Sequence, residues 1–132
     1  MTPFDETRLR AVMEQYPLLT HFGFGEYGQP FIATKQGRND LLKATDEINR
    51  ARAWLKTQQQ RVSINPKHSS YGLKHVAERA AGGYISNGSL IAAALMEGWK
   101  VQRIDLDSPN ARLNISERHL KRSCNGRPWV AG

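Results

Sequence analysis

Asn87-Gly-Ser-Leu-Ile-Ala-Ala-Ala-Leu-Met-Glu97 is the stretch of sequence that decides the fold. Apolar side chains occupy almost every position from Ser89 to Glu97, so a helix over these residues must be buried nearly all round. We expect Asn87 to cap the start of this helix and Gly98 to end it. The other elements must cover it, either within one chain or together with a second copy in a homodimer.

An amphipathic helix is predicted just before this segment. Ser69 or Ser70 is suited to cap its start, and Gly82-Gly83 are suited to end it in a left-handed conformation. Its apolar positions recur at helical spacing and define the face that should be buried: Leu73, Val76, Ala77 and Ala80.

Two further helices are predicted toward the N-terminus. A long one covers residues 40–60, with Asp40 as its cap. Its apolar stripe consists of Leu41, Ala44, Ile48, Ala51 and Leu55. The first helix covers about residues 3–15, because Thr2 and Pro3 form a typical start and Pro17 stops the helical pattern.

Short strands are predicted between and after these helices. Aromatic residues alternate with glycines in a hairpin over Phe22–Ile32, which turns near residues 25–28. Further strands are predicted over 62–64, 99–106 and 111–115, followed by a short basic helix over Glu117–Arg122. This order indicates one compact α+β domain over residues 1–132, with a mainly antiparallel sheet of about five short strands, four to five helices and an irregular tail from about residue 123.

The composition indicates a cytoplasmic protein. The 132 residues are 39% hydrophobic and 23% charged, which is typical of one soluble globular domain. No apolar run approaches the roughly 20 residues that span a bilayer, and acids near the N-terminus do not fit a secretory signal. Cys124 is the only cysteine and lacks a partner for a disulfide, so a reducing compartment is expected.

The distribution of charge is the main functional indication. The formal net charge is +7, but residues 1–49 hold five basic and seven acidic side chains, whereas residues 50–132 hold fourteen basic and five acidic ones. No acid occurs between Glu47 and Glu78. Such a concentration of cations indicates a polyanionic partner. The alternative is a solvated face that only keeps the protein soluble.

Three short basic segments are candidates for contacts with the phosphates of RNA or DNA. They lie on the 40–60 helix, at the loop-to-helix junction 67–75, and in the last predicted helix. The candidate residues are Arg50, Arg52, Lys56, Lys67, His68, Lys74, His75, Arg118, Lys121 and Arg122. Trp54 and Tyr71 are candidates for stacking on bases, provided that folding leaves them exposed.

The junction Lys67-His-Ser-Ser-Tyr-Gly-Leu-Lys-His75 also permits a catalytic interpretation. Cleavage of RNA without a metal needs a base, an acid and a cation beside the phosphate. His68, Tyr71, Lys74 and His75 would supply these groups. The alternative is ordinary helix capping by Ser69 or Ser70, with Lys74 paired to Glu78 one turn later.

No cofactor and no metal site are predicted. Gly23-x-Gly25-x-x-Gly28 matches the dinucleotide fingerprint, but a strand is predicted after it, where the fingerprint needs a helix to bind a pyrophosphate. The histidines, Glu78 and Cys124 do not have the spacing of zinc ligands.

Three phrases in the C-terminal half carry a resemblance: His68-Ser-Ser-Tyr-Gly-Leu-Lys-His75, Tyr84-Ile-Ser-Asn-Gly-Ser-Leu-Ile-Ala-Ala-Ala94 and Asn110-Ala-Arg-Leu-Asn-Ile-Ser116. Together they resemble a segment of small proteins carried by bacterial plasmids, integrated elements and phages. The resemblance implies a bacterial, intracellular protein of a mobile element. Nucleic-acid-binding proteins, toxic nucleases and inhibitors of host defence, such as anti-CRISPR proteins, are all common in that setting.

Three functional hypotheses are therefore open. The first is a basic protein that binds the nucleic acid of a mobile element through its phosphates. The second is a metal-independent ribonuclease, or toxin, centred on the junction 67–75. The third is an inhibitor of a host nucleoprotein complex, of the anti-CRISPR type, which acts by occlusion or by binding the guide RNA.

Overall fold

A computed structural model describes residues 5–26 and 28–123, with side chains through Leu120. Within these residues the chain forms a single compact α+β arrangement of six helices and four short strands. The helices are α1 (Glu6–Gln15), α2 (Lys35–Lys43), α3 (Thr45–Lys56), α4 (Ser70–Ala81), α5 (Asn87–Met96) and α6 (Glu117–Ser123). The strands are β1 (Leu19–Thr20), β2 (Gly23–Phe24), β3 (Val101–Arg103) and β4 (Ala111–Leu113).

Helix α5 is the centre of the core, as its apolar sequence predicts. It packs against α1, α3 and α4 and against strands β1, β2 and β3, and its residues 90–94 are fully buried. One chain therefore covers this helix by itself. Gly98 follows its C-terminal end with φ +81°, as expected. The predicted cap is wrong, because Ser86 caps the helix by accepting the Ser89 N–H at 3.0 Å.

Asn87, predicted as that cap, instead joins three segments around the start of α5. Its side-chain oxygen accepts the Ser70 hydroxyl at 2.6 Å, and its amide donates to the Phe22 carbonyl oxygen and to Asn110 Oδ1, both at 2.9 Å. The Ser70 hydroxyl also accepts the Ala111 N–H at 2.9 Å. Because buried polar groups need partners, this network fixes α4, the β1–β2 turn and β4 relative to one another.

The predicted single helix over residues 40–60 is wrong in its extent. The chain forms α2 and α3 instead, and they meet at Ala44, where φ is −83° and ψ is 46°. The Ala44 N–H bonds to the Leu41 carbonyl oxygen in a tight turn, which interrupts the helical ladder. Thr34, not Asp40, caps α2. The predicted apolar stripe is confirmed, since all of its five residues are buried.

The predictions for the first helix and for the amphipathic helix before α5 have different outcomes. Helix α1 begins later than expected, because Asp5 is its cap, and the predicted start at Thr2–Pro3 lies outside the described residues. Helix α4 is confirmed, with Ser69 as its cap and Gly82, at φ +75°, as its left-handed end. Ala80 was predicted on the buried face of α4 but is exposed, because it borders an open cleft between α3 and α4.

The predicted sheet of about five strands is wrong, since the described residues form two separate antiparallel pairs. Strand β1 pairs with β2 around residues 21–22, so this hairpin precedes the predicted one. Glu26 and Gln29 form only an isolated bridge across the predicted turn. The second hairpin is confirmed in a shorter form, with Val101 of β3 opposite Leu113 of β4.

The strand predicted over residues 62–64 is replaced by a loop beside β4. The Arg61 N–H bonds to the Asn114 carbonyl oxygen at 2.7 Å, and the Asn65 N–H bonds to the Leu113 carbonyl oxygen at 2.8 Å. Between these two contacts Val62 projects into solvent and is 86% exposed. Because only the two ends of the segment form backbone hydrogen bonds with β4 and the residue after it, no ladder of hydrogen bonds forms.

Helix α6 confirms the predicted basic helix and extends it to Ser123. The rest of the tail that was predicted to be irregular, including Cys124, lies outside the described residues. Among the residues that the structure describes, no helix is both long and apolar enough to cross a membrane.

Candidate nucleic-acid interface

The three candidate cations of α3 have different environments. The Arg52 side chain is 11% exposed, and its guanidinium lies 3.2 Å from the Glu97 carboxylate. Lys56, whose side chain is 59% exposed, lies 3.7 Å from the same carboxylate. Arg50 extends toward the α4–α5 loop and donates to the Tyr84 carbonyl oxygen at 2.7 Å. Lys56 is thus the one of these three cations that is well placed to meet a ligand.

Asn114 fixes the first half of the loop that follows α3. Its side-chain amide donates to the Arg61 carbonyl oxygen at 2.8 Å, and its Oδ1 accepts the Lys100 N–H at 2.9 Å. The Lys100 ammonium also donates to the Val62 carbonyl oxygen at 2.6 Å. Because Asn114 is buried, these bonds hold the backbone at Arg61 and at Lys100 in one place.

Asn65 fixes the second half of the same loop. It is fully buried, its amide donates to the Glu117 carboxylate at 3.1 Å, and its Oδ1 accepts the Lys67 N–H at 2.9 Å. The loop is therefore attached to the start of α6. A second link joins α6 to the end of α3, since His119 Nε2 donates to the Thr57 carbonyl oxygen at 2.5 Å.

These contacts bring exposed cations from four parts of the chain to one side of the protein. We call them the loop-side basic surface; its residues are Lys56, Arg61, Lys67, Lys100 and Arg118. Lys56 precedes Thr57 and Arg118 precedes His119, and Thr57 and His119 form the bond between α3 and α6. Arg61 and Lys67 belong to the loop, and Lys100 is bonded to the loop at Val62.

Carboxylates near this surface are engaged in internal contacts. The Glu97 side chain is 13% exposed and lies 3.2–3.8 Å from cations of α1 and α3. The Glu117 side chain, 20% exposed, lies 2.6 Å from His68 Nε2. The loop adds no negative charge of its own, because residues 48–77 contain no acid. Lys56 is thus partly compensated by Glu97, whereas no ion pair joins the other four cations of the surface to a carboxylate of the described residues.

His68 lies beneath this surface rather than on it. It is 7% exposed, and its contact with Glu117 connects the loop to α6. The sequence patterns made His68 a candidate both for phosphate contact and for catalysis. In the structure its side chain instead serves as an internal link.

The other junction residues form a second polar group, which we call the Lys74 cluster: Tyr71, Lys74, His75, Glu78 and Tyr84. Lys74 Nζ lies 3.2 Å from one Glu78 oxygen, and His75 Nδ1 lies 3.0 Å from the other. The ammonium also lies 5.4 Å from the centre of the Tyr71 ring and 4.8 Å from that of Tyr84. The helix-capping interpretation predicted the Ser69 cap and the Lys74–Glu78 pair, and both are confirmed.

Two groups of the Lys74 cluster have shifted pKa values. Burial alone would raise the pKa of Glu78, but hydrogen bonds from the Ile85 N–H and from Lys74, with the charges of Lys74 and His75, hold that pKa below its usual value. Burial raises the pKa of the Tyr84 phenol, and the nearby carboxylates of Glu47 and Glu78 raise it further. At neutral pH Glu78 is therefore ionised and Tyr84 is a neutral hydrogen-bond donor.

The members of the Lys74 cluster differ in access. Lys74 is only 6% exposed, whereas Tyr71 is 47% and Tyr84 is 58% exposed. The His75 side chain is 44% exposed. In the neutral tautomer whose Nδ1–H donates to Glu78, its Nε2 is an acceptor. A ligand on this surface would meet two phenol rings and an imidazole, with the ammonium behind them.

Sequence reasoning missed several residues of both sites. Arg61 lies in the acid-free stretch and had a usable signal in its charge. Lys100 and Tyr84 had none, since nothing local shows that they meet the loop and α4. The side chains of Lys121 and Arg122 lie outside the described part of the chain. Trp54, a candidate for stacking, is 5% exposed and belongs to the core.

No protein-family model matches this chain, and no curated protein and no solved structure matches it at significant similarity. The resemblance to proteins of mobile elements therefore stays a prediction. Within residues 5–26 and 28–123 there is no group of three or more His, Cys, Asp or Glu side chains that could hold a metal ion.

Proposed function

We propose that this protein binds nucleic acid through the loop-side basic surface and acts on the DNA or RNA of a bacterial mobile element. The observation that carries the proposal is the convergence of exposed cations from α3, the following loop, the residue before β3, and α6 beside carboxylates that are already engaged. The lone cysteine of the sequence supports a reducing compartment, so we place this activity in the cytoplasm.

The number of cations limits the strength and the salt dependence of binding. Each phosphate that a lysine or arginine neutralises releases condensed counterions, so the logarithm of affinity falls linearly with the logarithm of salt concentration. If all the cations of the surface contact phosphates, the slope is about −4.5 for duplex DNA and about −3.5 for a single strand. Lys56 remains close to Glu97, so the measured slope should be slightly shallower.

The test is fluorescence anisotropy with labelled single-stranded RNA, duplex RNA and duplex DNA, each titrated over a salt series with EDTA present. The double variant Lys67→Gln/Arg118→Gln removes two exposed cations of the surface. Its matched control, Lys35→Gln/Lys43→Gln, removes two exposed cations of α2, which packs against α1 and β1. We expect the first variant to bind more weakly and its slope to become about 1.4–1.8 shallower, and the control to bind like the wild type.

Two results would contradict the proposal. One is equal binding by the two double variants, which would assign the affinity to another surface. The other is no binding at physiological salt to any of the three nucleic acids. That second outcome would favour the remaining hypothesis, in which the protein inhibits a host nucleoprotein complex through a protein partner, and co-purification with that partner would be the next measurement.

Metal-independent cleavage of RNA is a second candidate function, favoured by the contact of His75 Nδ1 with Glu78. A carboxylate on one imidazole nitrogen orients the ring and leaves the other nitrogen to act as a base. Of the four residues proposed from the sequence, however, His68 and Lys74 are buried in internal pairs. Cleavage that persists in EDTA and disappears in a folded His75→Ala variant would support this function, whereas RNA that stays intact after long incubation would exclude it.

A further inference from the structure

Two exposed aromatic rings belong to the Lys74 cluster. Tyr71 and Tyr84 are about half exposed, whereas Phe24, Trp54 and Trp99 are buried. Both phenol rings contact the same ammonium, so their centres lie within about 10 Å of each other. They come from different elements, since Tyr71 is in the first turn of α4 and Tyr84 is in the loop before α5.

Contacts with Lys74 and His75 hold the two rings in place. Lys74 is fixed by Glu78, and Glu78 is fixed in turn by the Ile85 N–H at 3.1 Å. The Tyr71 and His75 rings also pack nearly perpendicular to each other, with the ring centres 4.8 Å apart. Because these contacts already restrict the rings, a ligand that stacks on them would lose little additional entropy in ordering them.

The Lys74 cluster follows the loop of the basic surface closely along the chain. Lys67 precedes Tyr71 by four residues, so their Cα atoms are at most about 14 Å apart even in a fully extended chain. One strand of stacked nucleotides advances about 3.4 Å per residue. About four stacked nucleotides span that separation, so a short strand is long enough to contact both Lys67 and Tyr71.

We propose that Tyr71 and Tyr84 form a stacking platform for unpaired bases, so that single-stranded nucleic acid is the preferred ligand of the basic surface. The inference rests on the proposed function, because it assumes that the phosphates of the same strand contact Lys67 and its neighbours. Aromatic side chains stack on unpaired bases in proteins that bind single strands, and every base offers a face for this contact. In a duplex the bases are paired and stacked on each other, so the platform adds nothing to binding.

The experiment compares a single strand and a duplex of the same RNA at one salt concentration. Tyr71→Leu and Tyr84→Leu remove a ring each, and Tyr84→Phe keeps the ring and removes only the hydroxyl. The matched control is Phe31→Leu, which removes an exposed ring from the segment between β2 and α2. We expect either tyrosine-to-leucine change to weaken single-strand binding by roughly 5- to 100-fold and to leave duplex binding and the salt slope unchanged. Tyr84→Phe and Phe31→Leu should bind both ligands like the wild type.

A second measurement does not depend on any variant. A single strand that carries the fluorescent base 2-aminopurine should lose emission when the wild-type protein binds, because stacking on an aromatic ring quenches it. Unchanged emission at saturation at every labelled position would overturn the stacking proposal.

The two proposals fail in different ways. If the tyrosine variants bind single strands within twofold of the wild type while Lys67→Gln/Arg118→Gln binds them weakly, the platform is wrong and the basic surface stands. If neither set of changes alters affinity, both proposals are wrong. If single strands and duplexes bind the wild type equally, the preference for single strands is wrong, whatever the variants do.

Discussion

Lys74 and Glu78 form an ion pair whose side chains are only 7% and 18% exposed, with the ammonium 3.2 Å from the carboxylate. The ammonium lies 5.4 Å from the centre of the exposed Tyr71 ring and 4.8 Å from that of the exposed Tyr84 ring. The buried pair therefore supports these two rings and is itself hardly accessible to a ligand. Glu78 also accepts the Ile85 N–H, which ties α4 to the loop that leads into the central helix. The carboxylate thus stabilises both the fold and the proposed platform.

Glu78→Ala should destabilise the protein strongly at neutral pH. The change leaves the Lys74 ammonium in a buried position without its carboxylate and leaves the Ile85 N–H without its acceptor, and breaking a buried pair from one side typically costs about 3 kcal/mol. Urea denaturation at pH 7 measures the loss. The control is Glu6→Ala, because Glu6 and Arg10 form an exposed pair on α1 that contributes at most about 0.5 kcal/mol. Equal midpoints for the two variants would show that leaving Lys74 without its carboxylate costs no more than losing an exposed pair.

The same residue should contribute to loss of stability in acid. The pKa of Glu78 is lowered in the folded protein, so the folded state binds fewer protons than the unfolded state near that pKa. Its contribution is therefore present above the unfolded pKa of about 4.3 and is lost as the pH falls through the lower folded value. The free energy of unfolding, measured from pH 6 down to pH 3, should fall less steeply in Glu78→Gln than in the wild type. Parallel curves would mean that other carboxylates carry the acid sensitivity.

Gly88→Ala should prevent close packing of α5 against the β1–β2 turn. A Cβ atom at this position would collide with the Thr20 carbonyl oxygen and crowd that of His21. The gain in helix propensity is at most about 1 kcal/mol, whereas forcing backbone apart in a packed core costs about 3 kcal/mol. Thermal and urea unfolding should both show net destabilisation. Gly82→Ala is the comparison, because a Cβ there meets nothing and only its left-handed φ costs roughly 1 kcal/mol; an equal or smaller loss at Gly88 would contradict the steric argument.

The sequence predicts the burial of a segment best where the residues of that segment alone determine it. The all-apolar α5 has to be buried whatever surrounds it, and the stripe from Leu41 to Leu55 stays on one face even though a break at Ala44 divides it. No glycine or proline stands near Ala44 to indicate this break in the sequence. Serine and asparagine are similarly good caps, so the choice of Ser86 over Asn87 depends on the buried bonds of Asn87 to distant residues.

In the candidate sites, too, the sequence predicts local features but not contacts between distant residues. Charge counting identifies the acid-free stretch after Glu47, and the Lys74–Glu78 pair follows from helical spacing. The burial of His68 depends on Glu117, 49 residues away, and the approach of Tyr84 to Lys74 depends on how α4 and α5 pack. Neither contact has a sequence signal, and together they decide which candidate residues can touch a ligand.

His68→Ala should affect stability rather than any chemistry at the junction. The side chain is buried and hydrogen-bonded to a carboxylate, and losing such a bond costs about 2 kcal/mol, so the urea midpoint should fall. His75→Ala removes a half-exposed imidazole and should change the free energy of unfolding by less than about 1 kcal/mol. Binding of single-stranded RNA, measured well below the unfolding midpoint, should remain near the wild-type level in His68→Ala. If this variant keeps its stability but loses binding or cleavage of RNA, His68 belongs to the functional site after all.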